Sequence, residues 1–310
     1  MRDSARDPER LLRRLEWTVI RRLDGLLQGD YRTLFRGTGL DLADLREYQY
    51  HDDVRHIDWN VTARLQTPYV REFNEDRALT AWFLLDLSAS VDFGLGVNKR
   101  ARATEFVAVL ARLLTRHGNR VGALCYGDRV DAVITPGSGR RDVLGIVHRM
   151  SRPAPAPARG VETDLGAFLR TAASLLPRRA LVFVVSDFIS TPGWPAQLAR
   201  LAQRHEVIAV RLVDALEREL PDLGLVLIED AETGAQLLVD THDAGFRARF
   251  GAHAEAREAA LVDAFAAAGV DALELATDAD LVDAIVRFAD LRRWRSRLGA
   301  GASAERRAAR

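Results

Sequence analysis

The stretch Ala81-Trp82-Phe83-Leu84-Leu85-Asp86-Leu87-Ser88-Ala89-Ser90 runs from five apolar residues straight into a carboxylate and two hydroxyls. An apolar run of that length, bounded by polar residues, reads as a strand buried on both faces. Asp86, Ser88 and Ser90 alternate beyond its C-terminal end, where all three can face one cleft. A second run, Leu181–Val185, ends in Ser186-Asp187, and Thr163 opens a helix between the two runs in Glu162-Thr163-Asp164-Leu165. Oxygen-only donors of this kind suit a hard cation such as Mg²⁺, which keeps several waters and takes few protein carboxylates. The competing reading is that Ser88, Ser90 and Thr163 cap helices, since such hydroxyls satisfy the free N–H groups of a first turn.

Composition sets the frame for that cleft. The 310 residues bury a substantial core and fit one or two domains. Lys+Arg and Asp+Glu stand at 44 each, so no net field points to nucleic acid or an anionic membrane. The single cysteine, Cys125, excludes an internal disulfide and lies in the apolar segment Val121–Tyr126, where a buried inert thiol is expected. No apolar run reaches the roughly 18–20 residues of a membrane span, and the N-terminus leads into no signal-peptide core. The expected location is the cytoplasm.

From residue 81 onward strand and helix patterns alternate. Ala81–Leu85 is followed by a helix over Lys99–His117 stopped at Gly118, then strands Val121–Tyr126 and Val130–Thr135 joined at Gly127-Asp128. Helices over Arg141–Met150 and Asp164–Leu176 flank a proline-punctuated loop at Pro153, Pro155 and Pro157. Strand Ala180–Val185, helix Ala196–His205, strand Val207–Val213, helix Ala254–Ala268 with its stop at Gly269, strand Val270–Leu275 and helix Asp278–Arg295 complete the series. The pattern predicts an α/β fold: a doubly wound, mostly parallel sheet of Rossmann-like type with helices on both faces. Ligands of such sheets bind beyond the strand carboxyl ends at the topological switch point, and Asp86 and Asp187 both fall at strand ends. Leu225–Glu229 and Ala235–Val239, turning at Gly234, read as an inserted β-hairpin at about residues 223–240.

The first eighty residues differ in kind. Leu11, Leu12, Leu15, Val19, Ile20, Leu23 and Leu27 form a helical stripe interleaved with Arg13, Arg14, Arg21 and Arg22. The expectation is a helix docked on its own domain rather than lying on a membrane. Gly37–Phe73 alternates aromatic and charged positions and reads as a small β-rich module. The predicted organisation is therefore residues 1–80, residues 81–297 with the hairpin inserted, and a disordered tail over 298–310. In the densest segment, His51–Trp59, the charges Asp52, Asp53, Arg55 and Asp58 must be paired or solvated, and Trp59 offers an apolar face for packing. A network between the modules and a recognition face are both open there.

Two resemblances bear on these residues. The order Asp86-x-Ser88-x-Ser90, then Thr163, then Asp187 resembles the metal-ion-dependent adhesion site of von Willebrand factor A domains. Leu45-Arg46-Glu47-Tyr48, Asp52-Asp53-Val54-Arg55-His56-Ile57-Asp58-Trp59 and Thr62-Ala63-Arg64 resemble the signature of the MoxR-associated family of unknown function, number fifty-eight. Gly39, Glu232-Thr233-Gly234 and Thr277-Asp278 fall in with it, whereas His51 stands where a glycine is more usual. The resemblance implies a von Willebrand factor A-like fold, a weakly held Mg²⁺ (or Mn²⁺ or Ca²⁺), and partnership with a MoxR-type AAA+ ATPase and a client protein.

Chemistry is thin by comparison. The chain has no Gly-x-x-x-x-Gly-Lys-Ser/Thr loop, no Gly-x-Ser-x-Gly elbow and no His-Glu-x-x-His pair, and Gly37-Thr38-Gly39 is too short for a dinucleotide fingerprint. The expected function is a non-enzymatic, metal-dependent protein-interaction module. The alternative is a metal-dependent phosphoester hydrolase using Asp86 and Asp187, with Asp92 and Asp164 as the nearest further acids and both readable as solvated or helix-start residues.

Overall fold

A computed structural model of the chain describes residues 7–23, 45–49, 57, 59–71, 79–94, 97–152 and 162–292. Contacts divide the chain into a small unit, Phe35–Ala78, and a larger one formed by Met1–Leu34 with Leu79–Arg310. Helix α1 (Pro8–Leu15), which runs on through a π-helical turn at Glu16–Ile20, belongs to the larger unit. In the small unit β1 (Leu45–Glu47) pairs antiparallel with β2 (Tyr69–Arg71), and α2 (Trp59–Leu65) precedes β2. Trp59 opens α2 and is 69% exposed, so it is not a core residue of this unit. Asp52, Asp53, Arg55 and Asp58 lie outside the described residues, as do the proline-rich loop and the C-terminal tail.

The larger unit follows the predicted alternation. Its elements are β3 (Thr80–Asp86), α3 (Lys99–Arg116), β4 (Arg120–Tyr126), β5 (Val130–Gly137), α4 (Arg140–Ser151), α5 (Leu165–Leu175), β6 (Leu181–Ser186), α6 (Trp194–Arg204) and β7 (Glu206–Val213). The hairpin β8 (Leu225–Glu229) and β9 (Gln236–Asp240), α7 (Ala244–Ala268), β10 (Asp271–Ala276) and α8 (residues 281–292) follow. Six strands form one sheet in the order β10-β7-β6-β3-β4-β5, parallel throughout except for β5, which returns antiparallel beside β4. The chain reverses its direction of travel across the sheet between β3 and β6, which makes their carboxyl ends the switch point.

Burial on both faces explains the unbroken apolar runs. Alternate residues of β3 and β6 serve opposite layers. Phe83 and Phe183 stack at 5.2 Å on one face, with the Phe106 edge of α3 against them. Trp82, Leu84, Val182 and Val184 join Phe168, Leu198 and Phe265 on the other. Cys125 is buried in β4, and burial pushes its thiol up to about 12, so it is an inert core residue.

Two boundaries differ from the sequence reading. Helix α7 starts at Ala244, capped by the Asp243 carboxylate, because Gly245 and Gly251 and a largely solvated face dilute the apolar period there. The N-terminal helix is part of the α/β unit rather than of a separate module. It buries Leu11, Leu12, Leu15, Ile20 and Leu23, and Glu16 accepts hydrogen bonds from Arg112 of α3 (2.6 Å) and Arg140 of α4 (2.7 Å). Its intervening Arg14 reaches Glu105 at 2.6 Å, so at least part of the basic face is used within the fold. Among the described residues no helix is long and apolar enough to cross a membrane.

Candidate functional site at the strand ends

The sheet register assembles the centre of the site. Leu85 pairs with Val185 and Asp86 with Tyr126, so Tyr126, Asp86 and Ser186 end three neighbouring strands on the same face. Asp86 is almost wholly buried. Its Oδ1 accepts the Ser88 N–H at 3.0 Å, and its Oδ2 accepts the Ser186 hydroxyl at 2.6 Å. Burial, and then the neighbouring Asp187 charge, push the Asp86 carboxyl up to about 6 despite these hydrogen bonds. Among the described residues no ion pair reaches Asp86.

The hydroxyls are not committed to helix capping. Ser88 occupies the N-cap position of the short 3₁₀ turn Ala89–Asp92, yet its side chain makes no capping bond. Instead Ser88 Oγ and Ser90 Oγ lie 3.1 Å apart and share one hydrogen bond. At α5 the cap is Asp164, whose carboxylate accepts the Ala167 N–H at 2.8 Å, and not Thr163. Arg100 clamps this loop from below, donating to the Leu87 carbonyl at 2.9 Å and to Asp92. Asp164 thus opens a helix as its sequence reading expected, while Asp92 serves as the partner of the buried Arg100, a pairing that reading did not include.

Asp187 is near Asp86 but already engaged. Its Oδ2 receives the Lys99 ammonium at 2.6 Å and its Oδ1 the Ile189 N–H at 3.0 Å. Lys99 has no solvent exposure and bridges on to Glu217 at 2.6 Å. Burial alone pulls an ammonium down, but Asp187 and Glu217 outweigh it and hold Lys99 above the usual lysine range. Phe188, next in the chain, adopts φ +58, a left-handed conformation that is strained for a bulky side chain. Its ring wedged between Trp194 and Phe265, and its N–H on Ser186 Oγ at 2.9 Å, hold it there.

Thr163 comes to the same end of the sheet through that turn. Its carbonyl accepts from Ser190 Oγ (2.8 Å) and the Thr191 N–H (3.0 Å), while the following Asp164 N–H donates to the Tyr126 hydroxyl at 3.2 Å. The Thr163 N–H donates to Glu232 Oε2 at 2.8 Å, and its hydroxyl donates to Glu232 Oε1. Glu232 sits at the tip of the β8–β9 hairpin, where Asp230 Oδ1 accepts the N–H groups of Glu232 (3.0 Å) and Thr233 (2.7 Å) and Gly234 takes φ +70. Among the described residues no group of three or more His, Cys, Asp or Glu is arranged to hold a metal. A cation here would rest largely on hydroxyls.

Of the five residues singled out in the sequence, Asp86, Ser88 and Ser90 form one cluster. Asp187 acts on Asp86 through its charge but is held by the buried Lys99, and Thr163 is tied to the turn that follows Asp187 and to the hairpin. Sequence reasoning missed Lys99 and Glu217. A signal for Lys99 was present: Lys99-Arg100 opens α3 with no acid in its first turn, although the helix dipole disfavours cations there. Such a placement calls for buried carboxylates nearby.

Residues 44–260 match a protein family described as "Protein of unknown function DUF58". The chain is 37% identical over 283 residues to an uncharacterized protein of Mycobacterium tuberculosis (strain H37Rv), covering 91% of this chain and 89% of that one. An uncharacterized protein of Mycobacterium bovis matches with the same identity and the same coverage. Among solved structures, an aerotolerance-related membrane protein from Bacteroides fragilis aligns with a TM-score of 0.42 at 12% identity, over 70% of this chain and 99% of that one. BatB from Bacteroides thetaiotaomicron aligns with a TM-score of 0.41 at 14% identity, over 69% of this chain and 100% of that one.

Proposed function

The chain belongs to the DUF58 family, and from that premise we propose that its strand-end cleft holds a divalent cation weakly and uses it to capture a carboxylate of a partner protein. The observation that carries this reading is the Ser88–Ser90 hydroxyl pair, 3.1 Å apart and unused for capping, beside a buried Asp86 with no described counter-ion. The donor chemistry fits: one carboxylate and the hydroxyls of Ser88, Ser90 and Thr163 are hard oxygen ligands that would hold Mg²⁺ or Mn²⁺, with Ca²⁺ as a further candidate. Asp187, held by Lys99, would act from behind, through water or through the charge it places near Asp86. Few anionic ligands leave a bound cation short of negative charge, and so receptive to an external carboxylate.

The von Willebrand factor A-like identity of the fold is part of this proposal, supported by the strand order and by the resemblance of the Asp-x-Ser-x-Ser loop. The same resemblance supplies the proposed setting: a cytoplasmic, non-enzymatic partner of a MoxR-type AAA+ ATPase acting on a client protein. The hydrolase reading finds less support, because Lys99 occupies the second carboxylate and two-metal chemistry needs several free ones. Thermal melting with Mn²⁺ or Mg²⁺ tests the site. The cation is expected to raise the Tm of the wild type and leave that of Asp86→Asn unmoved; equal shifts in both overturn the assignment.

A further inference from the structure

We infer that Glu232 is the built-in ligand of this cleft: the hairpin tip supplies the carboxylate that an acidic partner segment must displace to reach the cation at Thr163. The inference rests on the cation-site reading and names the group that guards it. Both Glu232 oxygens are spent on one residue, Oε2 on the Thr163 N–H at 2.8 Å and Oε1 on its hydroxyl. A hydroxyl that donates its proton to a carboxylate keeps its lone pairs for a cation, so both contacts can persist around a bound ion.

Three features make the hairpin suited to this task. Its tip is preorganised, since the Asp230 side chain and the Gly234 turn fix the Glu232 backbone. Its strands are cheaply moved: among the described residues β8 and β9 pair only with each other, outside the six-stranded sheet, and Leu225, Leu227 and Leu238 on one face are exposed. An isolated two-stranded hairpin is marginally stable, so its position depends on its base and on the Thr163 tie. The base is anchored at Thr241, which exchanges hydrogen bonds with Gly224 and Leu223 at 2.7 and 2.8 Å. The charge logic points the same way. Glu232 brings a negative charge onto Thr163, and a cation held by the Thr163 hydroxyl would attract that charge. Cation binding would therefore hold the tip on Thr163 more firmly, and a partner's Asp or Glu would have to compete with it.

The experiment measures Mn²⁺ affinity and amide hydrogen exchange of the hairpin tip, residues 230–235, in the full chain. In the wild type, Mn²⁺ is expected to slow exchange at the tip. In Glu232→Ala, Mn²⁺ affinity is expected to fall by about tenfold through the lost ligand charge, and tip exchange to become indifferent to the metal. Sodium acetate is expected to restore Mn²⁺ affinity in Glu232→Ala and to add nothing to the wild type. Glu232→Gln, which keeps an acceptor for Thr163 but no charge, serves as the folding-neutral check and should lose affinity likewise. If both variants bind Mn²⁺ as the wild type does, the proposal falls and the cation site stands. If the wild type binds no Mn²⁺, the cation site falls and takes the proposal with it.

Discussion

Ser186 donates its hydroxyl to Asp86 Oδ2 at 2.6 Å across the ends of two parallel strands, at the point where the sheet reverses direction. This contact and the hydrogen bonds from Ser88 make tolerable a buried carboxylate that has no ion-pair partner among the described residues. Ser186→Ala is expected to cost about 1–2 kcal/mol at pH 7, the usual penalty for under-satisfying a buried charged acceptor. Chemical denaturation in the presence of a chelator measures it, and a loss no greater than that of an exposed Ser→Ala control contradicts the role.

Asp86 gives the fold an unusual pH slope. Its carboxyl rises from 3.8 to about 6 on folding, so the folded state binds its proton more tightly than the unfolded one. A raised acid contributes stability that is complete below the unfolded pKa and is lost as pH climbs through the folded one. Without a cation, this group should remove roughly 1–3 kcal/mol between about pH 4 and pH 7. Asp86→Asn should abolish that component and be more stable than the wild type in chelator at pH 7. Denaturation series for the two proteins at several pH values, subtracted one from the other, isolate it from the other acids.

The Lys99 bridge should be unforgiving. Removing the ammonium leaves Asp187 and Glu217 facing each other inside the fold, and breaking a buried pair from one side costs about 3–5 kcal/mol. Lys99→Met is therefore expected to melt far below the wild type, and the triple change with Asp187→Asn and Glu217→Gln to recover part of the loss. Because Lys99 is held above its usual range of 10.5, the contribution is intact at neutral pH and disappears only in strongly alkaline solution.

Glu16 anchors the N-terminal helix to two others. Burial pushes its carboxyl up, but Arg140 and Arg112 more than compensate and leave it below its usual range of 4.5. A lowered acid stabilises above the unfolded pKa and loses its effect as pH falls through the folded one. Glu16→Ala should cost about 1 kcal/mol at pH 7, discounted for partial exposure, with a smaller effect near pH 3. Limited proteolysis should show faster cleavage at the N-terminal helix in the variant; unaltered cleavage and unaltered melting refute the anchoring role.

The architecture was legible in the residues because each strand and helix is declared locally. The runs Ala81–Leu85 and Leu181–Val185 are continuous because both faces are buried, and Gly118, Gly234 and Gly269 sit where the backbone takes positive φ. Asp86, Ser88 and Ser90 were visible for the same reason, since a polar group at the end of an apolar run needs an explanation. The start of α7 was missed because a solvated helix face carries little apolar period.

What tertiary structure decided was who meets whom. Lys99 pairs with Asp187 and Glu217 across 88 and 118 residues, Ser186 with Asp86 across 100, and Thr163 with Glu232 across 69. Periodicity reports whether a residue faces the core, which is a property of its own neighbourhood. Charge pairing in a buried cleft depends on which strand ends and loops the topology brings together, and no local pattern encodes that. The sequence thus determined the strands, their order of alternation and the oxygen-bearing loop. Only the folded chain decided that a buried lysine holds Asp187 and that the hairpin lends Glu232 to Thr163, because burial forces each charge and hydroxyl to find a partner among whatever the fold delivers.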